Sequence, residues 1–296
     1  MRRIAILSMV TFLAACGSSS SSSTGTTYLR VANLAPDVAA IDFCVGPTGG
    51  TLSAPVMANA GATDGLAFGA NFPAPLSLSK MVSKYFAYDA GSYTIAVYDK
   101  NLSGSSCANP LVQLTNQNLA ADGHYLVALV GQTAASAPHA LQLFTDASAA
   151  VADKVVIRFA NAGFLQLSGA TTPLPAFDIG YQLAGGAYTK IFDNIAYPGV
   201  AAASASVDAN GYAQVNPSIL SAGTTLYTCL HGTVPPAVTC QSIALPTTSA
   251  ITGGVVASAY AVGNSTGAPT AGTSLFCGDN TAAPVADYKY SLCLFQ

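Results

Sequence analysis

Tyr93-Thr94-Ile95-Ala96-Val97-Tyr98 is the stretch that decides the fold of this chain. It is rich in β-branched and aromatic side chains and follows Gly91, so its composition and short length predict a strand rather than a helix. Similar runs recur along the sequence, separated by Gly, Pro, Asn and Asp, and many short strands without long helical patterns predict a β-sandwich. The other runs cover residues 28–32, 41–45, 124–130, 141–144, 155–160 and 226–230.

The sequence also repeats itself. Leu29-Arg30-Val31-Ala32-Asn33 returns as Ile157-Arg158-Phe159-Ala160-Asn161, and Ala40-Ile41-Asp42-Phe43 returns as Ala176-Phe177-Asp178-Ile179. A third match joins residues 119–125 to residues 220–227. The repeat predicts two homologous domains, residues 28–150 and 154–296, each long enough to bury a core of its own.

The first copy carries a family resemblance. Residues 30–43, the later Ala90-Gly91-Ser92-Tyr93-Thr94 and residues 119–125 together resemble the bacterial domain of unknown function 4397. The resemblance implies two tandem Ig-like β-sandwich domains of the kind found in lipoproteins and surface proteins, with no assigned activity. It covers most of residues 28–150 and rests on fewer residues in the second copy.

The N-terminus carries an export signal. Leu13-Ala14-Ala15-Cys16 follows a short apolar run and two arginines, and it resembles the cleavage and lipidation box of a bacterial lipoprotein. We therefore expect residues 1–15 to be a signal peptide and Cys16 to carry acyl chains such as palmitate; the alternative is an ordinary secretory peptide. Residue 17 is Gly rather than Asp, which in Gram-negative lipoproteins favours the outer membrane. The Ser-rich residues 16–27 predict a flexible tether.

Six cysteines remain for disulfides once Cys16 is lipidated. Six cysteines allow 15 connectivities, and the sequence alone does not choose among them. Proximity favours Cys229 with Cys240 and Cys277 with Cys293, which leaves Cys44 with Cys107 by elimination. A cysteine metal site is disfavoured because no C-x-x-C or C-x-x-H spacing occurs.

The charge balance excludes one class of partner. Charged residues make up 8% of the chain, and removal of the signal peptide leaves 8 basic and 13 acidic residues, a net charge of −5. Because a nucleic-acid-binding protein needs a basic surface, we expect no nucleic-acid partner. Mean hydropathy is +0.44, yet no mature segment holds 18 unbroken apolar residues, so no spanning helix is expected.

The two arginines of the mature chain are the sharpest candidates for a site. Arg30 and Arg158 occupy the same repeat position, and Asp42 and Asp178 occupy another. One interpretation is an anion or sugar site. We favour structural ion pairs of Arg30 with Asp42 and of Arg158 with Asp178, because a guanidinium suits a bidentate carboxylate partner.

No catalytic pattern meets its structural requirements. Residues 263–267 fit G-x-S-x-G, but Pro269 and Gly272 follow where a helix is needed, and all three histidines precede the serine. The histidines have no metal-ligand spacing. We therefore expect no enzyme activity, no metal and no cofactor.

Two functions remain. We expect a membrane-anchored, non-catalytic interaction or structural module of the cell envelope, whose partners are the membrane and an envelope protein or glycan. The alternative is a surface lipoprotein that binds carbohydrate or peptide. In that case aromatic rings would stack on the ligand, and the candidates are Tyr85, Phe86, Tyr88, Tyr181 and Tyr188, which would otherwise pack within the sheets.

Overall fold

The computed structural model is built almost entirely of β-strands, as the sequence predicts. It describes residues 25–61, 64–68, 82–100, 107–131, 138–146, 149–163, 176–220, 224–243 and 253–262, and the backbone of 273–278 and 293–295. The predicted signal peptide, Cys16 and most of the tether lie outside the described residues. Within the described part, no helix is long and apolar enough to cross a membrane.

Two four-stranded sheets make up the first half of the chain, and we call them together the first sandwich. Their strand orders are β4-β1-β7-β8 and β3-β2-β5-β6. The elements are β1 (Thr26–Asn33), β2 (Ala40–Pro47), α1 (Val56–Asn59), β3 (Leu66–Ala67), β4 (Phe86–Asp89), β5 (Gly91–Asp99), β6 (Val112–Leu119), β7 (His124–Val130) and β8 (Ala140–Thr145).

The second half forms the second sandwich. One sheet has the order β12-β9-β16-β17-β18, with β13 also paired to β9, and the other has the order β11-β10-β14-β15. The elements are β9 (Val155–Asn161), β10 (Ala176–Leu183), β11 (Tyr188–Ala196), β12 (Gly199–Val200), β13 (Tyr212–Val215), a 3₁₀ turn (Pro217–Leu220), β14 (Thr224–Leu230), β15 (Cys240–Ile243), β16 (Val255–Val262), β17 (Thr273–Gly278) and β18 (Cys293–Phe295).

The two sandwiches share a topology. In the first, β1 pairs in parallel with β7; in the second, β9 pairs in parallel with β16. β2 and β10 begin at the repeated Ala40 and Ala176 and pair antiparallel with β5 and β14. The predicted match of residues 119–125 to residues 220–227 is therefore wrong, because β14 is the counterpart of β5 and β16 is the counterpart of β7.

Each sandwich encloses its own apolar core. Alternate side chains of a strand point to opposite faces of the sheet, so Leu29 and Val31 enter the first core, and Ile157 and Phe159 enter the second. These residues are at most 6% exposed. The side chains between them, including Arg30 and its counterpart Arg158, consequently point away from the cores.

A third apolar cluster joins the two sandwiches. It combines residues of β1, β7 and β8 with residues of β9 and β16, and the rings of Phe144 and Tyr260 lie 6.0 Å apart across it. We call the β4-β1-β7-β8 sheet and the β9-containing sheet the facing sheets, and the other two the outer sheets. A residue that points away from its own core on a facing sheet therefore points toward the other sandwich.

Candidate functional site

A buried cluster of charges lies between the facing sheets, and we call it the arginine centre. It consists of Arg30 on β1, Arg158 on β9 and Asp146, the residue directly after β8. The side chains of all three are 0% exposed. Strand alternation places the arginines there, since each is flanked by residues that enter its own core.

Asp146 accepts hydrogen bonds from both arginines. Its Oδ2 lies 2.9 Å from both Nε and Nη2 of Arg30, and its Oδ1 lies 2.6 Å from Nη2 of Arg158. The hydroxyl of Tyr85 donates to Oδ2 at 2.6 Å. Arg158 also donates to the carbonyl of Thr145 at 2.8 Å. One carboxylate therefore fastens a strand of each sandwich.

Aromatic rings surround the two guanidiniums. Arg30 lies 4.9 Å from the ring centroid of Tyr85, and Arg158 lies 5.2 Å from that of Phe144 and 4.6 Å from that of Tyr212. Cation–π contacts of this kind are stronger when water is excluded, so the rings help to compensate the buried positive charge.

The charge state of Asp146 follows from these contacts. Burial by itself would raise the pKa of the carboxyl, but the charges of Arg30 and Arg158 and the hydrogen bonds from Tyr85 and Arg158 outweigh it. The pKa of Asp146 therefore lies below its ordinary value, and the group is an anion at neutral pH.

The prediction that Arg30 pairs with Asp42 and Arg158 with Asp178 is wrong. Each aspartate lies on an outer sheet, whereas Arg30 and Arg158 lie on the facing sheets. Asp42 instead accepts backbone N–H groups of Phe43, Met57 and Ala58 at 2.7 to 2.9 Å and so fixes the loop that contains α1. A repeated Arg and Asp need not touch when their strands belong to different sheets.

Asp178 organises a polar cluster on the outer sheet of the second sandwich. Its two oxygens accept hydrogen bonds from the backbone of Asn194 and Gly232 and from the side chains of Lys190 and His231, at 2.8 to 3.0 Å. Burial would raise the pKa of Asp178, but these donors outweigh it and lower the pKa to about 2.

The same cluster has the geometry of a small cation site. One ligand atom each from Asp178, Asp193 and His231 lies within 4.8 Å of the others. The ammonium of Lys190 lies between the two carboxylates, 2.8 Å from Asp178 Oδ2 and 2.6 Å from Asp193 Oδ1. Lys190 therefore supplies the positive charge in this arrangement, and a divalent ion would have to displace it.

Two of the three expected disulfides are confirmed. Cys44 bonds Cys107, and Cys229 bonds Cys240. The backbone register of β17 and β18 places Cys277 directly opposite Cys293, and the side chains of this pair lie outside the described residues.

The aromatic candidates are dispersed rather than gathered in one platform. Phe86 and Tyr88 pack against the first core and Tyr181 packs against the second, which is the structural role considered for them. Tyr85 contacts the arginine centre. Tyr188 lies on the outer sheet of the second sandwich, where its partly buried ring is 6.3 Å from that of Tyr227 and its hydroxyl oxygen is buried.

A family match accompanies this geometry. Residues 50–165 match the family model of Domain of unknown function (DUF4397). The match confirms the resemblance, although it begins after the motif at residues 30–43 and extends through β9 of the second sandwich. The description of the family assigns no activity.

Comparisons with curated proteins and with solved structures do not indicate a function. No curated protein matches the chain. Among solved structures, it is similar to the Bacillus anthracis TIE protein at 8% identity and a TM-score of 0.19, over 81% of this chain and 34% of that one. It is also similar to a leucine-rich repeat protein from Bacteroides thetaiotaomicron at 11% identity and a TM-score of 0.17, over 73% of this chain and 23% of that one. The chain thus spans about a third and about a quarter of these proteins.

Sequence reasoning missed Asp146 and Lys190. The sequence predicts that each arginine pairs with an acid of its own copy, whereas Asp146 directly follows a strand of the first sandwich and binds the arginines of both copies. One signal was available in the sequence. The mature chain has only two arginines, and both occupy the same repeat position, which indicates a shared environment. Lys190 gave no pattern in the sequence.

Proposed function

We propose that this chain is a lipid-anchored protein of the cell envelope that works as a non-catalytic interaction or structural module. One observation carries the proposal: both arginines of the mature chain are buried in the arginine centre, where they fasten one sandwich to the other. Arginine is the residue that most often recognises carboxylate and phosphate ligands. Here both arginines instead hold the two sandwiches together.

The arrangement suits a rigid body on a flexible tether. The facing sheets bury one apolar cluster and three charged side chains between them. With the two sandwiches fixed in one orientation, the Ser-rich segment that the sequence predicts as a flexible tether would join this body to the membrane, and the predicted boundary at residue 27 is corrected to residue 25, because β1 begins at Thr26. The outer sheets are then free to meet other envelope components.

The anchor rests on the N-terminal sequence. A diacylglyceryl group and a further acyl chain on Cys16 bury many methylene groups, each worth about 0.8 kcal/mol, which holds a protein at a membrane far more firmly than one chain does. With Gly at position 17, the outer membrane is the expected location.

The anchor is tested by expressing the natural chain and Cys16→Ser in a Gram-negative host. We expect the natural protein to partition into the detergent phase with acylated Cys16 as its first residue, and the variant to stay unprocessed. Normal cleavage of the variant into a soluble protein would refute the anchor. A pull-down from envelope fractions with the lipid-free protein then tests the interaction role.

Carbohydrate or peptide binding is the second candidate, favoured by the outer face of β10 and β14. Tyr227 lies opposite Gly180, and the ring of Tyr188 covers the space that a side chain at Gly180 would take. Both rings are partly exposed, and Tyr188 lies close to Asp178 and Lys190 of the polar cluster. On a glycan array, Tyr227→Ala should abolish a signal that Thr225→Ala, an exposed change on the same strand, retains. Absence of any glycan signal from the natural protein would count against this candidate.

A further inference from the structure

The outward face of the outer sheet is covered in the first sandwich and open in the second. Two residues after the repeated aspartate, Cys44 lies opposite Ala96 in the first sandwich, and Gly180 lies opposite Tyr227 in the second. Cys44 and Ala96 are both 0% exposed, because side chains of neighbouring loops, such as Leu52, pack against them. Tyr227 is partly exposed. The second sandwich therefore presents to solvent a surface that the first sandwich covers with its own chain.

Two tyrosine rings form a corner on this open face. β11 has nine residues, whereas its counterpart β3 has two, and the longer strand brings Tyr188 beside β10. Tyr188 reaches over Gly180, where a Cβ would lie 2.6 Å from the tyrosine hydroxyl oxygen. The partly exposed ring of Tyr188 stands at 74° to that of Tyr227, with the centroids 6.3 Å apart. We call Tyr188 and Tyr227 the aromatic corner.

Charged side chains lie next to the aromatic corner. Tyr188 is close to Asp178 and Lys190. The side chains of Lys190, Asp193 and His231 are 34%, 62% and 43% exposed, whereas the repeated aspartate of the first sandwich binds three backbone N–H groups. Two carboxylates and one ammonium give this cluster a net charge of −1 when the imidazole is neutral. The face thus offers hydrogen-bond donors and acceptors to a ligand without a net positive charge.

We propose that the aromatic corner, together with Lys190 and Asp193, binds a neutral glycan. This glycan is the partner of the proposed interaction module, on which the inference rests. The apolar face of a sugar ring packs on an aromatic ring, and sugar hydroxyls both donate and accept hydrogen bonds. Asp193 accepts from one hydroxyl and Lys190 donates to a neighbouring one. The net negative charge of the cluster disfavours phosphorylated and carboxylated glycans.

A glycan fits this face better than a peptide does. An extended peptide is bound by pairing with the edge of a sheet, and a helical one by an apolar groove. The aromatic corner lies across β10 and β14, which are interior strands of their sheet. Their backbone groups pair with strands on both sides. The face therefore presents side chains to a ligand rather than backbone groups.

Calorimetric titration of the natural chain tests the class of ligand, in a detergent without a sugar headgroup. The probes are the neutral trisaccharides maltotriose, cellotriose and triacetylchitotriose, and the acidic trisaccharide trigalacturonate. We expect at least one neutral probe to bind with a dissociation constant on the order of 1 mM or below, and trigalacturonate to bind at least about tenfold more weakly. Tighter binding of trigalacturonate would overturn the proposed ligand class.

Substitutions locate the site. Tyr227→Ala and Asp193→Asn should each weaken binding of the neutral probe about tenfold or more. Asp193 is 62% exposed, so its variant should remain folded. The matched controls are Thr225→Ala and Asp153→Asn, at exposed side chains outside the site, and they should bind as the natural chain does.

The outcomes separate this inference from the proposed function. Unchanged affinity in both Tyr227→Ala and Asp193→Asn would show that the glycan binds elsewhere, so that the site is wrong and carbohydrate binding stands. If no neutral probe binds, the inference and the carbohydrate candidate both fail. The pull-down from envelope fractions then decides alone whether the chain is an interaction module.

Discussion

At the scale of single residues, Asp146 determines how the buried charges are compensated. The guanidiniums of Arg30 and Arg158 both bind the carboxylate of Asp146 in a site without solvent exposure. The hydroxyl of Tyr85 donates a further hydrogen bond to this carboxylate, and aromatic rings contact the guanidiniums. Buried ion pairs of this kind contribute little net stability compared with apolar packing, but removal of one partner leaves a charge uncompensated. The carboxylate is therefore the critical member, because both arginines depend on it.

The arginine centre should respond unequally to substitution. Arg30→Ala and Arg158→Ala should each lower the free energy of unfolding by about 3 to 5 kcal/mol, and Asp146→Ala should cost more because it leaves two buried cations. Urea titration measures these changes. Asp153→Ala, at a side chain that is 78% exposed, is the control and should change stability by less than about 0.5 kcal/mol.

Simultaneous replacement of all three residues by leucine should recover much of this loss, since no buried charge then remains. Equal urea midpoints for the natural protein and Asp146→Ala would show that the centre does not hold the two sandwiches.

Acid should destabilise the protein through Asp178. Its pKa is about 2 in the folded protein and about 3.9 in an unfolded chain, so it contributes stability above pH 4 that disappears as the pH falls toward 2. The contribution is about 2 kcal/mol at neutral pH. Urea titrations at pH 7, 4 and 2 should show Asp178→Asn to be less stable than the natural protein at pH 7 and nearly equal to it at pH 2. A stability difference that does not change with pH would contradict this assignment.

At the scale of strands and loops, the sequence predicted which residues form strands better than it predicted which strands lie side by side in a sheet. The run at residues 93–98 lies within β5, and the repeated Arg30 and Arg158 occupy the same position on β1 and β9. Alternation of side chains is a local property, so the composition of a run is enough to indicate a strand. Which sheet a strand joins depends on contacts far apart in the chain. Asp146 was missed for that reason.

The two disulfides should differ in their contribution to stability. Cys44 and Cys107 are 63 residues apart, and Cys229 and Cys240 are 11 apart. Because a longer closed loop restricts the unfolded chain more, replacing the first pair by alanine should cost about 4 kcal/mol and the second about 3 kcal/mol. Urea titration of the two double variants checks the order. The reverse order would indicate that strain or residual structure dominates.

At the scale of the whole molecule, the facing sheets decide whether the sandwiches behave as one body. Each sandwich has a core of its own, and the cluster between them adds Ala32, Ala160 and Tyr260 with other small and apolar residues. Separate cores mean that each sandwich can remain folded when the contact between them is lost. The contact between the facing sheets therefore determines whether the two sandwiches unfold together, and it has less influence on the fold of either sandwich.

Ala160→Glu tests that contact directly. Ala160 is 0% exposed within the cluster between the sandwiches, and burying a carboxylate there, where the nearby Arg158 is already bound to Asp146, costs several kcal/mol, on the order of 3 to 5. Separation of the sandwiches avoids this cost, because the new side chain then reaches water. Calorimetry should show one unfolding transition for the natural protein and two for the variant, and small-angle scattering should show a larger radius of gyration. Ala196→Glu, at an exposed position on β11, is the matched control and should keep one transition. A single transition at an unchanged midpoint in Ala160→Glu would show that the facing sheets do not couple the two sandwiches.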